Sequence, residues 1–198
     1  MMKTVKIARL RPTQLTHGLR EVREKARTYA SLTGHELEMA IAEKPIPIVC
    51  GPDEAPYATD HHHVAAALWM AEVKRVPVVL LEDLSALSWA DFWLTLENKR
   101  WTYPYDANGR RISFSEMREH IWDLDDDVFR SLSASVREAG GYEKTSVPLE
   151  EFRWADFFRT HLPKPDSDSE FDSLIGEAVE LAKSKSAVGL PGYLGPVD

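Results

Sequence analysis

Four consecutive residues, Asp60, His61, His62 and His63, carry the densest chemistry in the chain. Good helix formers without Gly or Pro follow from Val64 to Lys74, so Asp60 reads as an N-cap and the histidines as the opening of a helix. The first N–H groups of a helix lack intrahelical partners and the dipole there favours an anion, so a phosphate would sit naturally at this turn. The same field disfavours imidazolium. The rings are therefore expected to be neutral in the empty site and to protonate more readily beside a dianionic ligand. One of them could then act as a general acid or a transition-state clamp, which makes His61, His62 and Asp60 catalytic candidates, with His63 as a phosphate contact.

A metal site is the competing chemistry, because imidazole is a common ligand for zinc and other transition metals. Successive helical residues are rotated by about 100°, so three adjacent rings fan over roughly 200° and meet on one ion only if the turn is distorted. The His-Glu-x-x-His spacing is absent, and the reading assigns no metal ligands. A third reading has the rings cap the helix and pack on the sheet; pointing different ways, at least one of them is structural.

Other candidates are more dispersed. Thr13 and Gln14 follow the fixed-φ Pro12 and could orient a ligand by neutral hydrogen bonds or stabilise the turn, and Arg11 could supply phosphate charge. Lys99, Trp101, Tyr103 and Tyr105 precede the turn Asp106 to Gly109. These aromatics could stack on a base or sugar, with Lys99 beside them, although a hydrophobic seam between the two halves of the chain is the plainer reading. Glu151 and Asp156 lie within one and a half helical turns with Trp154 between them, suited to acid–base or metal chemistry or, more plainly, to an exposed acidic edge.

The elements that must position these residues change character along the chain. Val5, Ile7 and Leu10 suggest a short entering strand that turns at Pro12, and Val22, Ala26, Tyr29 and Ala30 a helix. Thr33 with Glu36 forms a capping-box pattern before a second helix. Ile46 to Cys50 reads as a buried strand, Tyr57 to Thr59 as its hairpin partner and Val76 to Leu81 as a further strand. Helices are expected at Trp89 to Glu97, after Ser113, at Val128 to Glu138, at Leu149 to His161 and around Phe171 to Ala182, with an irregular tail from Gly189. The fold class is α/β (α+β): a small mixed sheet with helices over residues 1–83, and a mainly α-helical region, 84–198, packed against it.

With 198 residues and 43% hydrophobic content, one sizeable core is within reach. Thirty-two acidic against 24 basic residues give a formal charge of -8, which disfavours nucleic acid as a partner unless basic residues gather on one face. Lys99-Arg100 and Arg110-Arg111 are the nearest approach to a basic block, too sparse to promise a DNA groove. A lone Cys50 and a start, Met1-Met2-Lys3-Thr4, without an apolar stretch point to the cytoplasm. No run reaches the roughly 20 apolar residues of a spanning helix, so no membrane association is expected.

Over residues 3 to 83 the order strand, turn, helix, apolar strand, D-H-H-H, helix and V-P-V-V-L-L resembles the ParB/sulfiredoxin superfamily. Arg11-Pro12-Thr13-Gln14 is similar to its Pro-containing first box, Tyr57 to Ala67 stands in the place of the second, and Val76-Pro77-Val78-Val79 matches the closing strand. R-P-T-Q with D-H-H-H is most similar to the ParB-like nuclease branch, a likeness that extends through Trp154-Ala155-Asp156. The second box in this superfamily holds nucleotide phosphates, reading G-E-R-R in partition proteins, G-C-H-R in sulfiredoxins and G-H-H-R in related free-serine kinases. Here Asp60 replaces the glycine, His61 the sulfiredoxin cysteine and His63 the final arginine, which removes a bidentate phosphate fork. An acidic residue near the start of the kinase fold gives Glu21 a reading as catalytic base beside its plainer one, a first-turn carboxylate favoured by the helix dipole. The resemblance implies an enzyme acting on a phosphate-containing small molecule or nucleotide by phosphoryl transfer or phosphoester hydrolysis. A non-catalytic nucleotide-binding switch, a nuclease or DNA-binding protein, and a metal-dependent hydrolase are the alternatives; the cofactor is left open, with a nucleotide and a divalent metal as the candidates.

Overall fold

The computed structural model describes residues 3–196; Met1 and Met2, where the start of the chain was read for a leader, lie outside the described residues. Its main sheet has four strands in the order β1-β5-β3-β4: β1 (Thr4–Lys6), β3 (Ile46–Cys50), β4 (Pro56–Ala58) and β5 (Arg75–Asp83). β5 runs parallel to β3 and antiparallel to β1, and β3 pairs antiparallel with β4. The sheet is thus mixed, as the resemblance implied. β-branched residues of β3 and β5 bury one face, with Ile46 opposite Val78, until the register slips between Ile48 and Val49 and leaves Leu81 without an opposite residue. A two-stranded parallel pair, β2 (Thr16–His17) with β6 (Asp125–Asp126), ties the N-terminal part to the later chain.

Among the described residues seven α-helices complete the fold: α1 (Leu19–Ser31), α2 (Gly34–Ala42), α3 (His62–Met70), α4 (Trp89–Asn98), α5 (Val128–Glu138), α6 (Glu150–His161) and α7 (Asp168–Lys183). Ile7, Leu10, Val22, Ile46, Ala65 and Leu68 belong to a core between the sheet, α1 and α3, which Ile121 also joins. A second core gathers Leu132 of α5, Trp154 and Phe158 of α6 and Ala178 of α7. Apolar residues at helical spacing drive both, at about 25 cal/mol per Å² removed from water.

Several local expectations shift. The entering strand stops at Lys6, because Ile7–Arg9 forms a 3-10 turn that buries both Ile7 and Leu10. Thr33 does N-cap α2, but its side chain makes no capping bond, so the Thr33/Glu36 box does not close. Ser113 and Glu116 do form a reciprocal box, on a single 3-10 turn. After Gly189 the chain is turn-rich, with Tyr193 bridging Tyr142. Among the described residues no helix is long and apolar enough to cross a membrane.

Candidate functional site

The D-H-H-H turn is distorted. His61, and not the expected Asp60, is the N-cap of α3, with a left-handed backbone at φ 59° and no side-chain capping bond. Asp60 instead accepts from the His61 N–H at 2.6 Å. Left-handed backbone is uncommon in non-glycine residues and costs on the order of 1 kcal/mol. It swings the His61 ring away from the helix and leaves the first amides of α3 without a side-chain acceptor.

The three rings separate into three roles. His61 Nδ1 lies 3.1 Å from the Pro45 carbonyl, which can only accept, so in the neutral ring Nδ1 carries the proton and Nε2 the lone pair. His62 is buried, and its Nε2 accepts the Thr13 backbone N–H at 3.0 Å. Burial, chiefly, pushes the His62 pKa down to about 3, which fits an imidazole used as an acceptor. His63 reaches across to α1, where its Nε2 lies 3.5 Å from Glu21 Oε1. Burial pushes His63 down to about 4 despite the nearby Glu21 carboxylate. The expected neutrality of the empty-site rings holds for His62 and His63, from burial first.

Glu21 is held between cations. Gly18 begins α1 so close to α5 that an added Cβ would lie 2.9 Å from Ser131 Oγ, and this approach sets Glu21 beside Arg130. Arg130 Nη1 is 3.5 Å from Glu21 Oε2, and Lys25 Nζ is 3.6 Å from Oε1. Burial raises the Glu21 pKa, but His63, Arg130 and Lys25 outweigh it and the net shift is downward. His63 is itself neutral at pH 7, so Arg130 and Lys25 are the cations that keep Glu21 ionised there. Arg130, 4% exposed, also pairs with Glu151 of α6, as does Arg137 two turns along α5. Those two guanidiniums overcome burial and hold the Glu151 carboxyl down at about 2.

These groups line one cleft of about 650 Å³. Of the residues singled out from sequence, Gln14, Glu21, Asp60, His61, His62, His63, Trp101 and Glu151 line it. Arg11 does not: it pairs with Asp53 at 3.2 Å on another surface. Thr13 lies beneath the cleft, its Oγ1 2.6 Å from Trp101 O and 2.8 Å from Ala58 O. Lys99 turns to Glu82 and sits over the Trp101 ring, its Nζ 4.7 Å from the centroid. Tyr103 stacks on Phe152 at 3.9 Å within the later part of the chain, and its backbone N–H donates to Thr13 O at 2.9 Å in the earlier part. Glu151 and Asp156 do not converge, since Asp156 pairs with Arg159. Cys50 sits in β3 near Asp83, Glu54 and Asp53, where burial and then these acids raise its pKa, so it is not an activated thiolate. Among the described residues no group of three His, Cys, Asp or Glu side chains is arranged to hold a metal ion.

Sequence reasoning missed His17, Arg130 and Arg137, all in the cleft lining. The available signal was Arg130, Ala134 and Arg137 at i, i+4 and i+7, a spacing that puts two cations on one helix face. It also missed how charge is distributed. Lys25, Lys44, Arg100, Arg130, Arg137 and Lys144 line the cleft against Glu21, Asp60, Glu150 and Glu151, an excess of cations within a chain of net charge -8. A groove of similar size, 660 Å³, lies between α1 and α5, but it contains no histidine.

Solved structures include a relative of the same length and shape. The crystal structure of protein Atu1540 from Agrobacterium tumefaciens is 36% identical, covers 100% of both chains and superposes with a TM-score of 0.89. No curated protein matches the chain. The model of the family described as "Putative ParB-like nuclease" matches residues 3–160, a span that takes in the R-P-T-Q turn, the histidine turn, Arg130 and Glu151, and the protein belongs to that family.

Proposed function

We propose that the cleft binds the phosphate of a small phosphate-containing molecule, a nucleotide in the leading case, and cleaves or transfers its phosphoester. The observation that carries this reading is the meeting, under one uncapped helix N-terminus, of Glu21, His63 and the buried Arg130, whose Nη1 has no hydrogen-bond partner. The α3 amides and Arg130 would hold the phosphate oxygens and balance charge as the bond to the leaving oxygen stretches. His61 and His63, ring centroids 6.4 Å apart, flank that position. The His61 Nε2 lone pair would take the proton of an attacking water or hydroxyl. His63, oriented by Glu21 and made more basic by the dianion, would return a proton to the leaving oxygen. His62 acts differently in this account: it locks the first box onto α3 through Thr13.

A second reading, cleavage of a nucleic-acid phosphodiester, is favoured by the family and by the cations lining the cleft. It predicts a steep fall of affinity with salt, because bound phosphates release counterions.

Turnover of nucleotides, phosphoamino acids, aryl phosphate monoesters and diesters, and single-stranded oligonucleotides, with and without divalent metal, tests both readings. Glu21→Gln keeps the shape but removes the charge that orients His63, and on the substrate turned over it should lower kcat by about 10²–10⁴-fold, the usual range for positioned acid–base groups. Unchanged kcat in Glu21→Gln would remove Glu21 from the mechanism, and no turnover of any substrate would leave a binding module.

A further inference from the structure

Two guanidiniums from one face of α5 converge on a single carboxylate, Glu151, in the wall of the cleft. That pairing leaves donors over. Arg130 Nη1 and Glu21 Oε2 stand 3.5 Å apart, and neither has a hydrogen-bond partner. The Arg130 side chain is 5% exposed and fixed in the packing between α1 and α6, whereas that of Glu151 is 20% exposed and lies in the first turn of α6. A carboxylate is favoured by the dipole of that turn in more than one rotamer, and the N-cap of α6, Leu149, offers no side-chain acceptor to compete with it. With the larger exposure, the carboxylate is the freer of the two groups to change rotamer.

We propose that Glu151 is a resident stand-in for phosphate: it occupies the Arg130 and Arg137 forks in the empty cleft and is displaced when a phosphate dianion enters, so that it sets affinity by competition. This rests on reading the cleft as a phosphate site. A tetrahedral dianion has more acceptor oxygens than a carboxylate, so it can engage both forks and the spare Nη1 together. The fork that the D-H-H-H box lacks, where His63 replaces arginine, is then supplied in space by α5. Before ligand arrives, Glu151 keeps two closely spaced guanidiniums from facing each other unpaired, a purely structural duty under which its charge would help binding and not oppose it.

The two duties give opposite signs for Glu151→Gln, which keeps the size but removes the charge and turns one of the two acceptor oxygens into an NH2 donor. Inorganic phosphate binding would be followed by calorimetry at fixed ionic strength for the parent, Glu151→Gln and Arg137→Gln, with thermal melts of each. Competition predicts about tenfold tighter phosphate binding in Glu151→Gln, a gain equivalent to about 1.4 kcal/mol, and weaker binding in Arg137→Gln. Weaker or unchanged binding in a folded Glu151→Gln overturns the stand-in role while leaving phosphate binding by the parent intact. Absence of binding to the parent and to Glu151→Gln overturns the phosphate reading and this inference with it. A measurement on the parent keeps the test open if the variant does not fold: on phosphate addition the Glu151 carboxyl, followed by carbon NMR, should titrate upward from about 2 toward the ordinary carboxylate range. A titration that stays put shows that the carboxylate never left.

Discussion

Arg130→Met lowers the stability of the fold by about 3–5 kcal/mol, the range for breaking a buried ion pair from one side, and abolishes phosphate binding. The guanidinium lies between Glu21 and Glu151 with almost no access to water. Methionine fills its volume but leaves the Glu21 and Glu151 carboxylates, on α1 and α6, with only Lys25 and Arg137 to offset them. Most of the loss comes from those stranded charges. Arg130→Met combined with Glu151→Gln should therefore recover part of it, and urea unfolding of the two single variants and the double variant would measure the coupling. Arg130→Lys keeps the charge but loses the planar fork, so it should fall between parent and Arg130→Met in stability and bind phosphate poorly. A loss under about 1 kcal/mol in Arg130→Met would mean that water reaches the network and that Arg130 does not organise the cleft.

Acidification should destabilise the protein from a higher pH than carboxylates alone would set. Burial depresses His62 to about 3 and His63 to about 4, against an ordinary value of 6.5. Between those values and 6.5 the unfolded chain binds protons that the native chain refuses, so stability rises with pH through that window and is complete above it. Each ring contributes a slope of about 1.4 kcal/mol per pH unit there. Glu21 and Glu151, depressed in the folded state, act lower: their stabilisation is present above about 4.5 and is lost as pH falls through their folded values. Unfolding free energy measured from pH 8 to pH 4 should begin to fall near 6.5. His62→Gln retains an acceptor for the Thr13 N–H and should remove about one proton from that slope. A flat profile between pH 6.5 and 5 would show that the buried rings exchange protons freely.

What could be read from the sequence follows the range of the interactions involved. β3 and β5 are short apolar runs bounded by turn residues, and α5 and α7 carry helical periodicity, so local pattern located them, although the Ser167 cap of α7 was not read as one. The end of α3 was not legible: Glu72 adopts φ 60° and Val73 N–H closes back on Leu68, ending the helix where no glycine or proline marks it. The histidine turn was found, yet its left-handed N-cap was not, because a helical first turn assumed for all three residues hides the separate partners Pro45, Thr13 and Glu21. Those partners lie 16, 49 and 42 residues away in sequence. Arg130 and Arg137 escaped for the same reason. A cation on a helix face reads as solvated until α1 and α6 are folded over it, and a net charge of -8 says nothing of where the positive charges collect. Glu151, taken as part of an exposed edge, is held in the cleft by the two arginines that sequence reasoning overlooked.

The central claim is that a phosphate ligand sits at the α3 N-terminus against Arg130. Thermal melts of the parent chain and of Arg130→Lys, titrated at constant ionic strength with inorganic phosphate, nucleotides and phosphoamino acids, test it most directly, since a ligand that binds only the native state raises Tm. The account predicts a concentration-dependent rise with at least one phosphate compound in the parent, by about 2.7 kcal/mol of stabilisation at a hundredfold excess over Kd, and a much smaller rise in Arg130→Lys over its own baseline. No rise with any of them, or an equal rise in Arg130→Lys, would contradict it.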